Sequence, residues 1–189
     1  MKSKNIYSLP FKEDTIFLAV SDPRAHFAHG KHAIDFAIDF NVPILAVLDG
    51  EVINVKDGSN EGGPEEKYAT DIKYLNFITI KHVNGEYSQY GHIEHKSSLV
   101  KVGDKVKRED PIAKGIGMIG STTTPHVHLL VCIDSNNEAG FESLEIQFDK
   151  KIHIIRNGRE QMKELAKPKF KLLRELQEKY YSPKPHSTN

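Results

Sequence analysis

The sequence contains a single cysteine, Cys132, which excludes an internal disulfide framework. It also has no net charge, because 26 lysine and arginine residues balance 26 aspartate and glutamate residues. The electrostatic footprint of a nucleic-acid-binding protein is therefore missing, and we expect no nucleic acid partner. No run is apolar and long enough for a secretory signal or a membrane span. We expect a protein that is cytoplasmic or released without a classical leader.

The sequence also lacks the motifs of nucleotide-dependent and nucleophilic enzymes. It shows no nucleotide-binding loop, no Ser-His-Asp order and no Cys-His pair in a suitable setting. Histidine, in contrast, is abundant: ten residues in a chain of 189, with three of them at His26, His29 and His32. Imidazole is a frequent metal ligand and a frequent general acid or base. The histidines are therefore the first candidates for a functional site.

Short strand-like runs separated by turn residues predict an antiparallel, mainly β domain. Two dipeptides, Asp49-Gly50 and Asn84-Gly85, are typical of β-hairpin turns. The stretch 56–74 is rich in glycine, proline and acidic residues without a usable period, which indicates a long excursion over the surface.

The pattern changes near residue 157, where apolar residues recur at helical spacing and Pro168 interrupts the run. One or two amphipathic helices are expected there, packed on the β domain. We therefore predict a β domain over residues 1–155 with its core at 26–132, a helical extension over 156–182 and a disordered tail over 183–189.

A pair of histidines, His126 and His128, lies in the run "TPHVHLLV". Side chains two positions apart on a strand point to the same face, so the two imidazoles should look out together. Such a pair alone is also compatible with a purely structural role. Tyr90, two residues before His92, is expected either to line the same pocket or to pack as an ordinary core aromatic.

Five segments between residues 26 and 132 resemble one known family in the same order. They are "HAIDF", "VPILAVLDGEV", "ITIKHVNGEYSQYGHI", "LVKVGDKVKREDPIAKGIGMIGS" and "TPHVHLLV". Together they resemble the lysostaphin-type (LytM-like, M23) zinc metallopeptidases. The resemblance implies a strongly twisted antiparallel sheet or β-sandwich with a duplicated hybrid motif like that of biotinyl and lipoyl carriers. It also implies a zinc-dependent endopeptidase that cuts amide bonds in stem or cross-link peptides of bacterial peptidoglycan.

The resemblance assigns roles to individual positions. Asp35 and His128 match two zinc ligands of the family, and His92 and His126 match its two catalytic histidines that are not ligands. The family's usual first ligand, four residues before the aspartate, corresponds to Lys31, which cannot bind a metal while protonated.

A family variant places the first ligand nine residues before the aspartate, and that position is His26. His26 is therefore the predicted third ligand, and His29 is the alternative. His32 corresponds to a tyrosine of the variant and is expected to pack rather than to bind metal.

Two histidines and one carboxylate make a three-ligand zinc site with an open fourth position, as in catalytic zinc enzymes. Zinc lowers the pKa of bound water to about 7, and His92 and His126 would then move protons during hydrolysis. Two other hypotheses stay open. The displaced first ligand keeps open a catalytically silent binding or activator module. Such relatives usually lose several site residues, whereas this chain keeps four of the five and offers a substitute for the fifth, so activity is favoured. A biotinyl or lipoyl carrier is disfavoured, because the turn at Asn84-Gly85 presents no lysine at its tip.

Overall fold

The computed structural model describes residues 1–15 and 17–157, and these form a mainly β fold, the predicted class. The predicted C-terminal helices and tail lie outside the described residues. The strands are β1 (Lys2–Tyr7), β2 (Leu18–Ser21), β3 (Ile34–Ala37), β4 (Ile44–Leu45), β5 (Gly50–Lys56), β6 (Gly62–Gly63), β7 (Phe77–Lys81), β8 (Glu86–Gly91), β9 (Lys105–Val106), β10 (Pro111–Ala113), β11 (Gly120–Ser121), β12 (His126–Asp134), β13 (Phe141–Ser143), β14 (Glu145–Phe148) and β15 (Ile154–Arg156). A short helix, α1, spans Glu66–Thr70, and 3-10 turns span Ala28–Gly30, Ile72–Tyr74 and Val83–Gly85.

Nine strands of the described part form the main sheet, in the order β15-β2-β3-β12-β8-β7-β5-β9, with β13 also paired to β12. The longest strand, β12, lies between β3 and β8 and pairs antiparallel with both. Its two neighbours therefore bring distant parts of the chain to the same place. The arrangement puts β12, with its two histidines, at the middle of the sheet.

The hairpin predicted at Asn84-Gly85 is confirmed. Strands β7 and β8 pair antiparallel from Phe77 opposite Gly91 to Lys81 opposite Tyr87. Asn84 and Gly85 have φ values of 63° and 69°, the left-handed conformation that this turn needs.

The hairpin predicted at Asp49-Gly50 is wrong. Strand β4 pairs with β10, whereas β5, which begins at Gly50, pairs with β7 and β9. The Asp49 carboxylate accepts a hydrogen bond of 2.7 Å from the backbone N–H of Arg108. The chain therefore uses this turn to reach a distant loop rather than to fold back on itself.

The sheet is mixed rather than purely antiparallel, as β15 runs parallel to β2. Outside the main sheet, β1 is parallel to β14 and β6 is parallel to β11. The stretch 56–74 is largely exposed, as predicted, although it also contains β6 and α1. No helix within the described residues has both the length and the apolar character needed to cross a membrane.

The hydrophobic core lies under the main sheet and draws aliphatic side chains from most of its strands. The largest fully buried side chains include Phe36, Ile78, Ile80, Tyr90, Ile112 and Leu129. Their placement follows the alternation of each strand, in which every second side chain points inward. This core holds β3, β8 and β12 in fixed register, and these strands and the loops at their ends supply the candidate site.

Candidate metal centre and active site

The candidate site is built around the N-terminal half of β12. His128 lies opposite Asp35 of β3 on one side and opposite Gly91 of β8 on the other. Cross-strand partners have neighbouring side chains, so this register sets the Asp35 carboxylate beside the His128 ring. His128 Nδ1 is 2.9 Å from Asp35 Oδ1. A Cβ at residue 91 would lie 3.2 Å from the His128 Cβ, and a glycine there leaves room for the ring.

His26 reaches the same carboxylate from the loop between β2 and β3. Its Nε2 lies 3.1 Å from Asp35 Oδ1, and its side chain is buried. The loop turns sharply after Asp22, because the backbone N–H of His26 donates to the Asp22 carbonyl at 2.8 Å. The Asp22 carboxylate accepts from the backbone N–H of Arg24 at 3.0 Å, which closes the same turn.

Three ligand atoms, one each from His26, Asp35 and His128, all lie within 4.8 Å of one another. Ligand atoms about 2.0–2.1 Å from a tetrahedral zinc would lie roughly 3.3 Å apart, close to the two nitrogen-oxygen distances given above. Two neutral imidazole nitrogens and one carboxylate oxygen are also the donor types that zinc accepts. The three residues therefore fit a zinc ion in donor type and in spacing.

The surrounding histidines keep Asp35 ionised. Burial by itself would raise the pKa of this carboxyl group, but His126, followed by hydrogen bonds from His128 and His26, holds the pKa well below its usual range. The carboxylate is therefore in the charged form that binds a metal.

His29, the alternative ligand, is placed elsewhere. Its Nδ1 donates to Glu142 Oε2 of β13 at 2.8 Å. Lys31, which stands at the usual ligand position, has its Nζ 3.5 Å from Glu142 Oε1 and a side chain that is more than half exposed. Both residues thus point to β13 instead of Asp35, and the geometry favours His26 as the third ligand.

His92 and His126 lie beside the three candidate ligands, with their ring centroids 4.4 Å apart. His92 Nδ1 donates to the Ile119 carbonyl at 2.6 Å, and His126 Nδ1 donates to the Thr124 carbonyl at 2.7 Å. A backbone carbonyl can only accept, so each contact fixes the proton on Nδ1 and leaves Nε2 as the basic nitrogen. The Nε2 atom of His126 is 3.4 Å from Asp35 Oδ1, within the same cluster.

Burial, followed by the charge that His126 carries at low pH, lowers the pKa of His92 to about 3. Burial also lowers the pKa of His126, against the opposing effect of Asp35. Both imidazoles are therefore neutral near pH 7 in the metal-free chain, and a neutral imidazole is a competent proton acceptor.

Tyr90 does not line the pocket. Its ring is fully buried, and its hydroxyl accepts hydrogen bonds from the Val47 backbone N–H at 2.9 Å and from Ser88 Oγ at 3.0 Å. Strand β8 ends at Gly91, and His92 has a φ of 62°, so the alternation of faces stops between Tyr90 and His92. That break turns His92 toward the site and leaves Tyr90 in the core.

The carbonyls of Ile119 and Thr124 are functional groups that the sequence did not reveal. A backbone carbonyl carries no residue signal, although the threonine-rich run before His126 and the glycine at residue 120 mark this segment as irregular. The segment before His126 is anchored by the stretch 56–74, because its strand β11 pairs with β6 of that stretch. The stretch 56–74 therefore supports the segment next to the Ile119 carbonyl.

The remaining histidines within the described chain are placed apart from this cluster. His82 is buried and contacts the Asp49 carbonyl and Ser88 Oγ, and His95 Nδ1 contacts the Ser59 carbonyl. The Cys132 side chain is half-buried, and burial, followed by Asp134, raises the pKa of its thiol to about 11. It is thus an inert, packed side chain.

The fold and the cluster of two histidines and one aspartate define a β protein with a candidate metal centre. The family model described as "Peptidase family M23" matches residues 29–139, more than half of the chain. The protein belongs to peptidase family M23. The matched region contains Asp35, His92, His126 and His128, whereas His26 lies three residues before its start.

Individual relatives agree with this membership. The chain is 38% identical over 95 residues to an uncharacterized metalloprotease of Buchnera aphidicola, a match that covers 50% of the chain and 21% of the relative. The solved structure of the antimicrobial peptidase lysostaphin from Staphylococcus simulans covers 98% of the chain and 61% of lysostaphin, with 19% identity and a TM-score of 0.50, and supports the fold.

A zinc-containing peptidase from Vibrio cholerae is 25% identical, with a TM-score of 0.48, over 67% of the chain and 36% of that structure. The chain thus spans about a fifth of the length of the Buchnera relative and about a third of the Vibrio structure.

Proposed function

We propose that the protein is a zinc-dependent metalloendopeptidase, in which His26, Asp35 and His128 hold the metal and His92 and His126 transfer protons. The observation that carries this proposal is the juxtaposition of a three-ligand cluster with two neutral imidazoles whose Nδ1 protons are fixed by backbone carbonyls. A structural zinc site has four protein ligands, whereas three ligands leave a position for water or substrate.

A zinc ion bound there would polarise the substrate carbonyl and lower the pKa of the attacking water. The chain itself supplies the proton transfers. One imidazole accepts the proton of the water at Nε2, and the resulting positive charge stabilises the oxygen on which negative charge develops. The same proton then passes to the leaving amine. Both His92 and His126 present a basic Nε2 for these steps.

We assign peptide substrates of bacterial peptidoglycan, as stem or cross-link peptides, on the basis of family membership. The duplicated hybrid motif and the division into a β domain (1–155), a helical extension (156–182) and a tail (183–189) stay predictions.

The test of the metal site is zinc content after removal of loosely bound metal. We expect about one zinc per chain in the wild type, near zero in His26→Ala and His128→Ala, and a nearly full complement in His29→Ala at saturating zinc. The rival hypothesis of a silent binding module gains support if wild-type protein binds zinc but cleaves no peptidoglycan. Absence of zinc from the wild type, or its loss in His29→Ala but not in His26→Ala, would overturn the assignment.

A further inference from the structure

The part of the site that departs most from the usual ligand spacing is the loop that supplies His26. This ligand lies nine residues before Asp35 and outside any strand, whereas Asp35 and His128 are fixed on adjacent strands. Surface loops are more mobile than the elements they connect, and a metal site requires its ligands to be held to within about 0.5 Å. Some other part of the molecule must therefore restrain this loop.

The first half of the loop is restrained locally by the turn at Asp22. The second half contains one short 3-10 turn, Ala28–Gly30, in which Ala28 has a φ of 48°. Left-handed backbone at a residue with a side chain is unfavourable unless its surroundings impose it. The second half thus needs a contact from outside the loop.

Strand β13 provides that contact through three polar contacts made by two consecutive residues, Glu142 and Ser143. The Glu142 carboxylate binds His29 with one oxygen and Lys31 with the other, at 2.8 Å and 3.5 Å. The neighbouring Ser143 Oγ, which is buried, accepts from the backbone N–H of His32 at 3.3 Å. Since β13 pairs with β12, these contacts attach the loop to the strand that carries His126 and His128.

We propose that Glu142 is a positioning residue of the metal site, which holds His29 and Lys31 so that His26 stays beside Asp35. The inference rests on the proposed function, since it requires that His26 bind a metal. It also explains why a lysine can occupy the usual ligand position: Lys31 has become part of the attachment of the loop.

A positioning role and a stabilising role predict different results. The side chains of Glu142, His29 and Lys31 are 31%, 28% and 54% exposed, and ion pairs at such positions contribute little to stability. Loss of Glu142 should therefore change the unfolding temperature of the metal-free protein by only about 2 °C. Loss of a residue bonded directly to a metal ligand typically costs 10–100-fold in metal affinity. Glu142 acts on His26 only through the loop, so its loss should cost less, about 5-fold.

The experiment measures the zinc dissociation constant by competition with a chelator, and the unfolding temperature of the metal-free protein, for the wild type, Glu142→Ala and Glu142→Gln. Glu138→Ala is the matched control, because Glu138 is 91% exposed and reaches His29 only at 4.0 Å. We expect Glu142→Ala to weaken zinc binding about 5-fold. Glu142→Gln, which can still accept a hydrogen bond from His29, should recover part of that loss, and Glu138→Ala should bind as the wild type does.

Two outcomes would overturn the proposal while the metal site stands: zinc affinity within twofold of the wild type in Glu142→Ala, or an equal loss in Glu138→Ala, which would indicate a nonspecific charge effect. If Glu142→Ala does not fold, Glu142→Gln decides by the same two criteria. A wild type that binds no zinc would instead contradict the proposed function.

Discussion

At the scale of single residues, the site depends on which nitrogen of each imidazole carries the proton. The carbonyls of Ile119 and Thr124 fix His92 and His126 in the same tautomer. His128, in contrast, directs its Nδ1 to Asp35, so adjacent histidines on β12 present different nitrogens to the centre. The difference arises from local backbone contacts, because His126 bonds two residues back to Thr124, whereas His128 faces the carboxylate across the sheet.

His92→Ala and His126→Ala should each lower kcat/KM for hydrolysis of peptidoglycan by about 10²–10⁴-fold, the usual contribution of a general acid or base. Zinc content should stay near one per chain, since neither residue is a proposed ligand. His95→Ala is the control, because its ring contacts Ser59 outside the cluster. Activity above a tenth of the wild-type value in both variants would contradict the catalytic assignment.

The sequence could predict part of this arrangement at the residue scale. Alternation along a strand correctly placed His126 and His128 on one face, and the family pattern singled out Asp35. The choice between His26 and His29 depends on Glu142, which lies 113 residues after His29. No local pattern encodes a contact of that separation, so the placement of His29 away from Asp35 could not be predicted, and the choice of His26 rested on the resemblance to the family variant.

At the scale of elements, the two predicted hairpins show when a turn dipeptide is sufficient to predict that the flanking strands pair with each other. Asn84-Gly85 joins two strands that each present alternating buried residues to the same core, so turn and strands agree. Asp49-Gly50 is preceded by a run, Ile44 to Val47, that is buried throughout. Such a run shows no alternation of buried and exposed residues that would determine which strand it pairs with. Tertiary contacts paired it with β10.

The pairing of β6 with β11 should be disrupted by the addition of a single methyl group at Gly62. A Cβ at Gly62 would lie 2.2 Å from the Met118 carbonyl, so Gly62→Ala must push the two segments apart. We expect a loss of about 1–3 kcal/mol in the free energy of unfolding, together with reduced activity, because the Ile119 carbonyl beside β11 orients His92.

Gly58→Ala is the matched control for this change, since a Cβ there meets nothing within 4 Å. Thermal unfolding and hydrolysis assays on both variants test the prediction. Equal unfolding temperatures in Gly62→Ala and Gly58→Ala would show that β6 is free to move away from β11.

A second element, the turn after β7, should make stability depend on pH. Burial lowers the pKa of His82, partly opposed by its hydrogen bond to the Asp49 carbonyl. The unfolded chain, with a pKa of about 6.5, therefore binds more protons than the folded chain below that pH. The stability that neutral His82 contributes is present above about pH 6.5 and is lost as the pH falls, by at most about 1.4 kcal/mol per pH unit.

His82→Gln removes this titration but leaves the other buried histidines in place. The stability gap between wild type and variant should accordingly narrow between pH 7.5 and 5.5, measured by urea unfolding in the presence of a chelator. A gap that stays constant over this range would mean that His82 does not titrate with folding.

At the scale of the whole molecule, a mixed sheet with a shared core brings together residues from a loop, two strands and a strand end. The class of fold could be predicted, because short strands and turn residues repeat along the chain. The parallel strand pairs could not be predicted, because the pairing of β1 with β14 and of β15 with β2 joins segments more than a hundred residues apart. Those pairings depend on the completed core rather than on local turns.

The same long-range construction predicts how metal affects the molecule. His26 and His128 lie 102 positions apart in the chain, so a metal bound to both ties the loop after β2 to the central strand of the sheet. A ligand that binds only the folded state stabilises it by about 2.7 kcal/mol at a free concentration 100 times its dissociation constant. For a protein of this size that gain corresponds to roughly 5–10 °C in unfolding temperature.

Zinc should therefore raise the unfolding temperature of the metal-free wild type by this amount, and a chelator should reverse the rise. His128→Ala should unfold at one temperature with and without zinc, because the metal loses a ligand that no neighbour replaces. Calorimetry of both proteins at several zinc concentrations separates specific binding from a general salt effect, since only specific binding saturates. An equal zinc-dependent rise in His128→Ala would place the bound metal outside the cluster of His26, Asp35 and His128.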